Sequence, residues 1–134
     1  MAGTLHCVVV TPEQTALDQD AEFVALPLFD GEIGIAANHS PLIGRLGYGE
    51  MRVKSGGTTK ALYVDGGFVE VAGNVVSVLT NRAVPATKVD GSAAETQLAN
   101  AIRHPASTAE QLEIRDRQIA QARAQIRIAR RARL

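Results

Sequence analysis

A single cysteine, Cys7, stands in the 134 residues. One thiol cannot close an internal disulfide, so a disulfide scaffold and a four-cysteine zinc site are both excluded, and a reducing compartment is expected. Long apolar runs are also missing: nothing approaches the ~18–20 residues that cross a bilayer. The opening Met-Ala-Gly-Thr-Leu has neither a basic start nor an apolar stretch, so no secretory signal is expected. There is no phosphate-cradling loop ending in Gly-Lys and no nucleophile elbow. The three histidines, His6, His39 and His104, show no pair at ligand spacing, so no metal site is expected. Cys7 alternates with Leu5 and Val9 and reads as a small core residue, not a nucleophile. Catalysis by this chain alone, a cofactor and a metal are therefore not expected.

What is present is enough apolar sequence for a core: 46% hydrophobic against 21% charged residues, at one domain's length or one domain plus an appendage. Fourteen basic and fourteen acidic side chains give a formal net charge of zero. That neutrality is uneven along the chain. Residues 1–90 hold six basic and ten acidic groups, a net of −4, whereas residues 91–134 hold eight and four, a net of +4. A cationic arm on a mildly acidic body points to two modules with different partners.

From residue 4 to about 84, short β-rich runs alternate with glycine. The runs Thr4–Val10, Glu22–Leu28, Met51–Val53, Thr59–Val64, Gly67–Val71 and Val75–Thr80 are predicted strands. Turn residues between them (Asp30-Gly31, Gly56-Gly57, Asp65-Gly66-Gly67, Gly73-Asn74) imply an antiparallel sandwich or barrel. Pro27 within one run predicts an edge position or a bulge. After Lys88 the period becomes helical. Ser92 with Glu95 forms a capping-box pattern, with Ala94, Leu98, Ala101 and Ile102 on one face, and Pro105 ends that helix. Ser107 with Glu110 opens a second run that carries no glycine or proline through Leu134. Its apolar stripe is thin (Leu112, Ile119, Ala122, Ile126, Ala129), which predicts reversible packing on the first helix.

The Arg-rich arm has several possible uses. Nucleic-acid binding lacks interleaved aromatics and is opposed by the acidic body. A membrane-surface helix lacks Trp and Phe. An acidic protein surface needs only arginine and geometry, and a plain solvated helix face needs no partner. The segment Phe29-Asp30-Gly31-Glu32-Ile33-Gly34-Ile35-Ala36-Ala37-Asn38-His39-Ser40-Pro41-Leu42-Ile43 resists a purely structural account. Glu32 and His39 are expected to project from turns at one end of the sandwich.

At this segment the chain resembles the epsilon subunit of the rotary, F-type ATP synthases, called delta in mitochondria. The resemblance rests on five stretches in order: Val9-Val10-Thr11-Pro12-Glu13, Asp30-Gly31-Glu32-Ile33-Gly34-Ile35, Asn38-His39-Ser40-Pro41-Leu42, Gly66-Gly67-Phe68-Val69-Glu70-Val71 and Asn74-Val75-Val76-Ser77-Val78-Leu79. It implies an all-β N-terminal domain, a flattened ten-stranded β-sandwich over residues 1–88, followed by a C-terminal α-helical hairpin over residues 89–134 with a regulatory role. It implies a non-catalytic central-stalk subunit that binds gamma and the c-ring, held as a peripheral membrane protein on the cytoplasmic face of the cell membrane without inserting into it. Ring contact is carried onto Glu32 and His39. The helices of the family can extend into the catalytic alpha/beta head, which gives Arg115, Arg123, Arg127, Arg130 and Arg131 an acidic partner. Some members bind ATP through Ile/Leu-Asp-x-x-Arg-Ala. The equivalent stretch here is Val89-Asp90-Gly91-Ser92-Ala93-Ala94, so Ala93 replaces the arginine and Val89, Asp90 and Ala94 remain of a degenerate motif. The alternative reading is a free-standing sandwich adaptor with a basic, nucleic-acid-binding helix.

Overall fold

The computed structural model describes residues 3–132. It divides into two compact units, Met1–Pro85 and Ala86–Leu134. The first holds eight strands: β1 Leu5–Val10, β2 Thr15–Ala21, β3 Phe23–Leu28, β4 Gly31–Ala36, β5 Leu42–Ser55, β6 Thr58–Ala72, β7 Val75–Leu79 and β8 Ala83–Pro85. Ten strands were expected, and the register reconciles the two counts. The first part of β5 (Leu42–Leu46) pairs with the last part of β6 (Gly67–Val71), while the rest of β5 (Tyr48–Ser55) pairs with the first part of β6 (Thr58–Asp65). Beyond β6, Phe68–Ala72 pairs with β7, and Leu62–Val64 pairs with β8. Each long strand therefore contributes a segment to both layers. One layer runs β2-β1-β7-β6-β5 and the other β8-β6-β5-β3-β4.

The corner between layers is where side-chain alternation changes phase. Leu46 faces inward, and so do Met51 and Val53, with odd numbers in place of even. A continuous strand can do this only by inserting an irregularity, because the side-chain period is two. The register skips Gly47 and Gly66 between Leu46↔Gly67 and Tyr48↔Asp65. Gly67 has φ +105°, and a Cβ there would lie 1.9 Å from the carbonyl oxygen of Leu79. No other residue fits this crossing of β6 over the end of β7. Pro27 is not on an edge, since β3 pairs with β4 on one side and β5 on the other. It sits instead where the β3–β5 register shifts between Ala25 and Leu28, so its missing N–H falls in a gap of the ladder.

The core between the layers is built from aliphatic side chains at alternate positions: Leu5, Cys7 and Val9 from β1, Val24 and Leu26 from β3, Met51 and Val53 from β5, Val69 and Val71 from β6, Val76 and Val78 from β7. Each contributes about 1.5–3 kcal/mol of burial for a Val- or Leu-sized group. Burial pushes the Cys7 thiol up to about 12, which leaves no thiolate at neutral pH.

The second unit opens with a 3-10 turn, Ala86–Lys88, that packs against the second helix. It continues with α1 Gly91–Arg103 and α2 Ala109–Ala132. Both capping signals lie beside the predicted ones. Asp90, not Ser92, caps α1 by accepting from Ala93 N at 3.0 Å. At α2 the reciprocal box is Thr108 with Gln111: the Thr108 hydroxyl accepts from Gln111 N at 3.1 Å, and Gln111 Oε1 accepts from Thr108 N at 3.3 Å. Ala94 and Ala101 of the predicted α1 face are buried, but Ile102 is 55% exposed. In α2, Ala122, Ile126 and Ala129 are buried, whereas Leu112 is exposed. No residue from 109 to 121 is buried. The final two residues of the predicted α2 run lie outside the described residues.

Gly67→Ala should destabilise the sandwich by about 3 kcal/mol or more, combining overpacking with backbone strain. Gly73→Ala, at φ +55° with open space around it, should cost about 1 kcal/mol. Urea denaturation of the two variants checks the difference, and equal midpoints would refute the corner assignment.

Candidate partner-binding surfaces

Three surfaces carry the candidate residues. The first is the outer face of the layer β2-β1-β7-β6-β5. Register aligns Arg45, Phe68, Leu79 and Val10 in one row across four strands. Ile43, Glu70, Ser77, Val8 and Asp18 form the next row, and Ala72, Val75, His6 and Asp20 the third. Ile43 is 76% exposed, Phe68 57% and Leu79 56%. Contiguous large apolar side chains at such exposure mark a contact surface, because isolated exposed residues are ordinary but a row of them is not. Sequence reasoning placed Phe68 and Leu79 in strands without asking which face they take. Alternation against Val69 and Val78, both core residues, was the signal that could have found them.

At one margin of this face His6 lies between two carboxylates of β2. Its Nε2 is 2.5 Å from Asp18 Oδ1 and its Nδ1 is 2.8 Å from Asp20 Oδ1. A neutral imidazole carries a single N–H and can serve one carboxylate at a time, so the cradle suits the imidazolium. The hydrogen bonds to Asp20 and then Asp18 raise its pKa above the ordinary value of 6.5. Among the described residues no group of three or more His, Cys, Asp or Glu is placed to hold a metal ion. At the other margin Arg45 stacks on Phe29, 4.3 Å from the ring centroid.

The second surface concerns Glu32 and His39, which the structure does not bring together. Glu32 is the second residue of β4, not a turn residue, and its carboxylate accepts from Arg52 Nη2 at 2.9 Å. Arg52 also reaches Glu50 at 3.2 Å. His39 follows the far end of the same strand, seven residues on, so β4 separates the two along its length. A clasp fixes the His39 loop: Asn38 N donates to Asn74 Oδ1 at 2.7 Å, and both asparagines take positive φ, 67° and 63°. The expectation that both project from one end fails because Gly31–Ala36, read as turns, is a strand paired with β3.

The third surface is on the helices. Arg123, Arg127, Arg130 and Arg131 are exposed and recur at helical spacing along one side of α2. Arg115 stands apart: it lies about 12 Å earlier along the axis and is half-buried, its Nε without a hydrogen-bond partner. Between α1 and α2 lies a groove of about 460 Å³, lined by residues that include Ala93, Thr96, Gln97, Asn100, His104 and Gln118. Val89 and Asp90 precede it, and Asp90 is engaged as the helix cap. Ala93 brings no cation to this groove, and none of its lining residues is Lys or Arg.

A β-sandwich that exposes an apolar patch, followed by a basic helical hairpin, has the features of a protein that makes contacts with partners. The sequence model described as ATP synthase, Delta/Epsilon chain, beta-sandwich domain matches residues 4–86. The ATP synthase epsilon chain of Rhodopirellula baltica is 48% identical over 127 residues, spanning 95% of this chain and 99% of its own. That of Desulfitobacterium hafniense is 47% identical over 90 residues, 67% of this chain and 68% of its own. Among solved structures, a chain of the Euglena gracilis mitochondrial ATP synthase, OSCP/F1/c-ring in rotational state 1, shares the fold at TM-score 0.75 and 24% identity, covering 89% of this chain and 76% of that one. A chain of the Tetrahymena thermophila mitochondrial ATP synthase central stalk and c-ring does so at TM-score 0.74 and 12% identity, covering 93% and 96%. The chain belongs to the ATP synthase delta/epsilon family, and is a non-catalytic, epsilon-type subunit. The nucleic-acid-binding alternative finds no support among these relatives.

The His6 cradle has a signed pH dependence. A folded-state pKa raised above 6.5 gives a contribution to stability that is full below pH 6.5 and disappears as pH rises through the folded value. The denaturation midpoint of the wild type should therefore fall relative to His6→Gln on going from pH 6 to above the folded pKa, by a small amount because the group is solvent-exposed. Parallel pH profiles for the two proteins would contradict this.

Proposed function

We propose that the chain is the rotor subunit through which the gamma subunit and the c-ring of a proton-translocating ATP synthase are joined during ATP synthesis, and that its C-terminal helices restrain ATP hydrolysis. The observation that carries the reading is the exposed apolar patch formed by Phe68 and Leu79 in one row and Ile43 in the next, a surface suited to cover by a partner. Gamma is its proposed occupant. His39 is assigned to the same surface, since the Asn38–Asn74 clasp holds its loop beside Val75. Glu32, near the Phe29-Asp30 turn at the opposite end of β4, is assigned to the ring. This divides a pair that the family resemblance had placed on one contact.

No helix among the described residues is long and apolar enough to cross a membrane. Attachment to the cytoplasmic face of the cell membrane would then come from the rest of the complex. For the arm, Arg123, Arg127, Arg130 and Arg131, exposed along one side of α2, are the contact with an acidic surface of the alpha/beta head. Arginine favours such sites because its guanidinium pairs carboxylates bidentately. The absence of a buried residue from 109 to 121 supports a loosely held first half of α2, and release of the whole helix would also uncover the buried side chains between Ala122 and Ala129.

The chain should co-purify with gamma at one-to-one stoichiometry, and failure to do so would defeat the reading. Truncation after Pro105 should leave the sandwich folded and raise ATPase activity of the assembled enzyme. If the arm inhibits nine molecules in ten, the rise is about tenfold. Unchanged hydrolysis would remove the inhibitory role and leave the stalk role intact. Calorimetry of the isolated chain with ATP should give a Kd weaker than about 100 µM, because Ala93 cannot pair with phosphate. Ala93→Arg should tighten it.

A further inference from the structure

The apolar patch of Ile43, Phe68 and Leu79 has carboxylates within it and at its edge. Glu70 stands directly opposite Ile43 and Ser77, and Asp18 and Asp20 lie beyond Val8 and His6 on the β2 edge. Asp18 and Asp20 side chains are 60% and 74% exposed. The cations on this face are already engaged, Arg45 on the Phe29 ring and His6 between its two aspartates. From the strand on the other side of β1, His6 meets Val75, which is uncharged, and the backbone carbonyl of Asn74. The face thus sets Glu70 among its apolar side chains and carries at its β2 edge a cluster in which one imidazole faces two carboxylates.

We infer that the partner seated on this face presents an apolar surface that also carries lysine or arginine, with one cation placed among the apolar contacts opposite Glu70 and another at the margin opposite the Asp18–Asp20 pair. The inference rests on the assignment of this face to gamma and adds the chemistry of the gamma surface. Charge pairs across an interface contribute mainly to association rate, orientation and exclusion of wrong partners, and their effect is lowered by salt. His6 holds part of this charge in reserve. While protonated it occupies both aspartates, and on losing its proton it leaves one carboxylate free and adds a unit of negative charge. Association should therefore strengthen as pH rises.

The test measures binding of the full-length chain to purified gamma by interferometry across salt and pH. Asp18→Asn/Asp20→Asn/Glu70→Gln, which keeps the shape of each side chain, should weaken binding about tenfold at low salt and flatten the salt dependence. His6→Gln should lose the strengthening that the wild type shows as pH rises from 6 to above the folded pKa of His6. Phe68→Asp, at an exposed site and with its fold verified by circular dichroism, should abolish binding. If Phe68→Asp abolishes binding while the triple variant binds with unchanged affinity and salt dependence, the face is right and the placement of partner cations is overturned. If Phe68→Asp binds normally, the assignment of the face fails and the inference falls with it. A salt-sensitive dimer of the chain alone that competes with gamma would overturn it too, by making the basic arm of a second copy the occupant.

Discussion

The crossing of β5 and β6 at the corner between layers is the constraint on which the sandwich depends. Both strands pass through it in one continuous run, so the two layers share their central hydrogen-bond ladder instead of being joined by loops. This couples layer geometry to backbone conformation at Gly47 and Gly67. At Gly47 a Cβ would stand 2.8 Å from the carbonyl oxygen of Leu28, and at Gly67 there is no room beside Leu79. Because side chains alternate with period two, the phase change at the corner also decides which residues of β6 face outward after it. Phe68 is outside and Val69 inside as a result. The apolar row on the outer face therefore follows from the same corner that closes the core.

Placement of the other candidates follows from strand order. With β4 as the last strand of its layer, Glu32 has no neighbour beyond it and turns back across β3 to Arg52. That ion pair, exposed at both partners, contributes little to stability. Its effect is to fix where a carboxylate stands near the Phe29-Asp30 turn. At the other end of β4, Asn38 and Asn74 each take a left-handed conformation that asparagine tolerates better than most residues. Their mutual hydrogen bonds tie two loops that are far apart in sequence, so His39 stands on a held loop. Positioning here is done by backbone conformation and amides, with charges left for contact.

Much of this was legible in the residues. Alternating Leu5, Cys7 and Val9 identified a core-facing strand, and glycine-bearing turns marked the ends of β3, β5 and β6, whereas Asp65-Gly66-Gly67, expected to be a turn, lies inside β6 at the corner. The strands that escaped are instructive. Thr15–Ala21 carries Asp18, Gln19 and Asp20, and Gly31–Ala36 carries two glycines, compositions that favour loops. Each lies at a layer edge and is held by pairing with a stronger neighbour, β1 and β3 respectively. Local propensity cannot register that help. Pro27 was read correctly as a bulge and wrongly as an edge for the same reason: a gap in one ladder looks identical in sequence to the absence of a ladder. The caps of the helices moved by one or two residues because Asp90 and Thr108 are better placed than the serines beside them. The separation of Glu32 from His39 was hidden by the misread β4, since seven residues in a turn span little and seven along a strand and its exit span the domain.

The charge division gains a structural meaning from these placements. A net charge of zero would make a surface indifferent if its signs were mixed, since opposite charges within a Debye length of about 8–10 Å cancel at a distance. Here they are sorted. Asp18, Asp20 and Glu70 lie on an apolar sheet face in one compact unit, and Arg123, Arg127, Arg130 and Arg131 line one side of a helix in the other. Each unit thus offers a surface of a single sign to a partner of the opposite sign. Along that side of the helix Arg123 and Arg127, and Arg127 and Arg131, stand at i,i+4 and repel each other, which favours capture by an acidic surface, while Arg130 lies 3.9 Å from Glu95 of α1. The neutrality of the whole chain is thus compatible with two strongly charged contacts, provided they are made by different units to different partners.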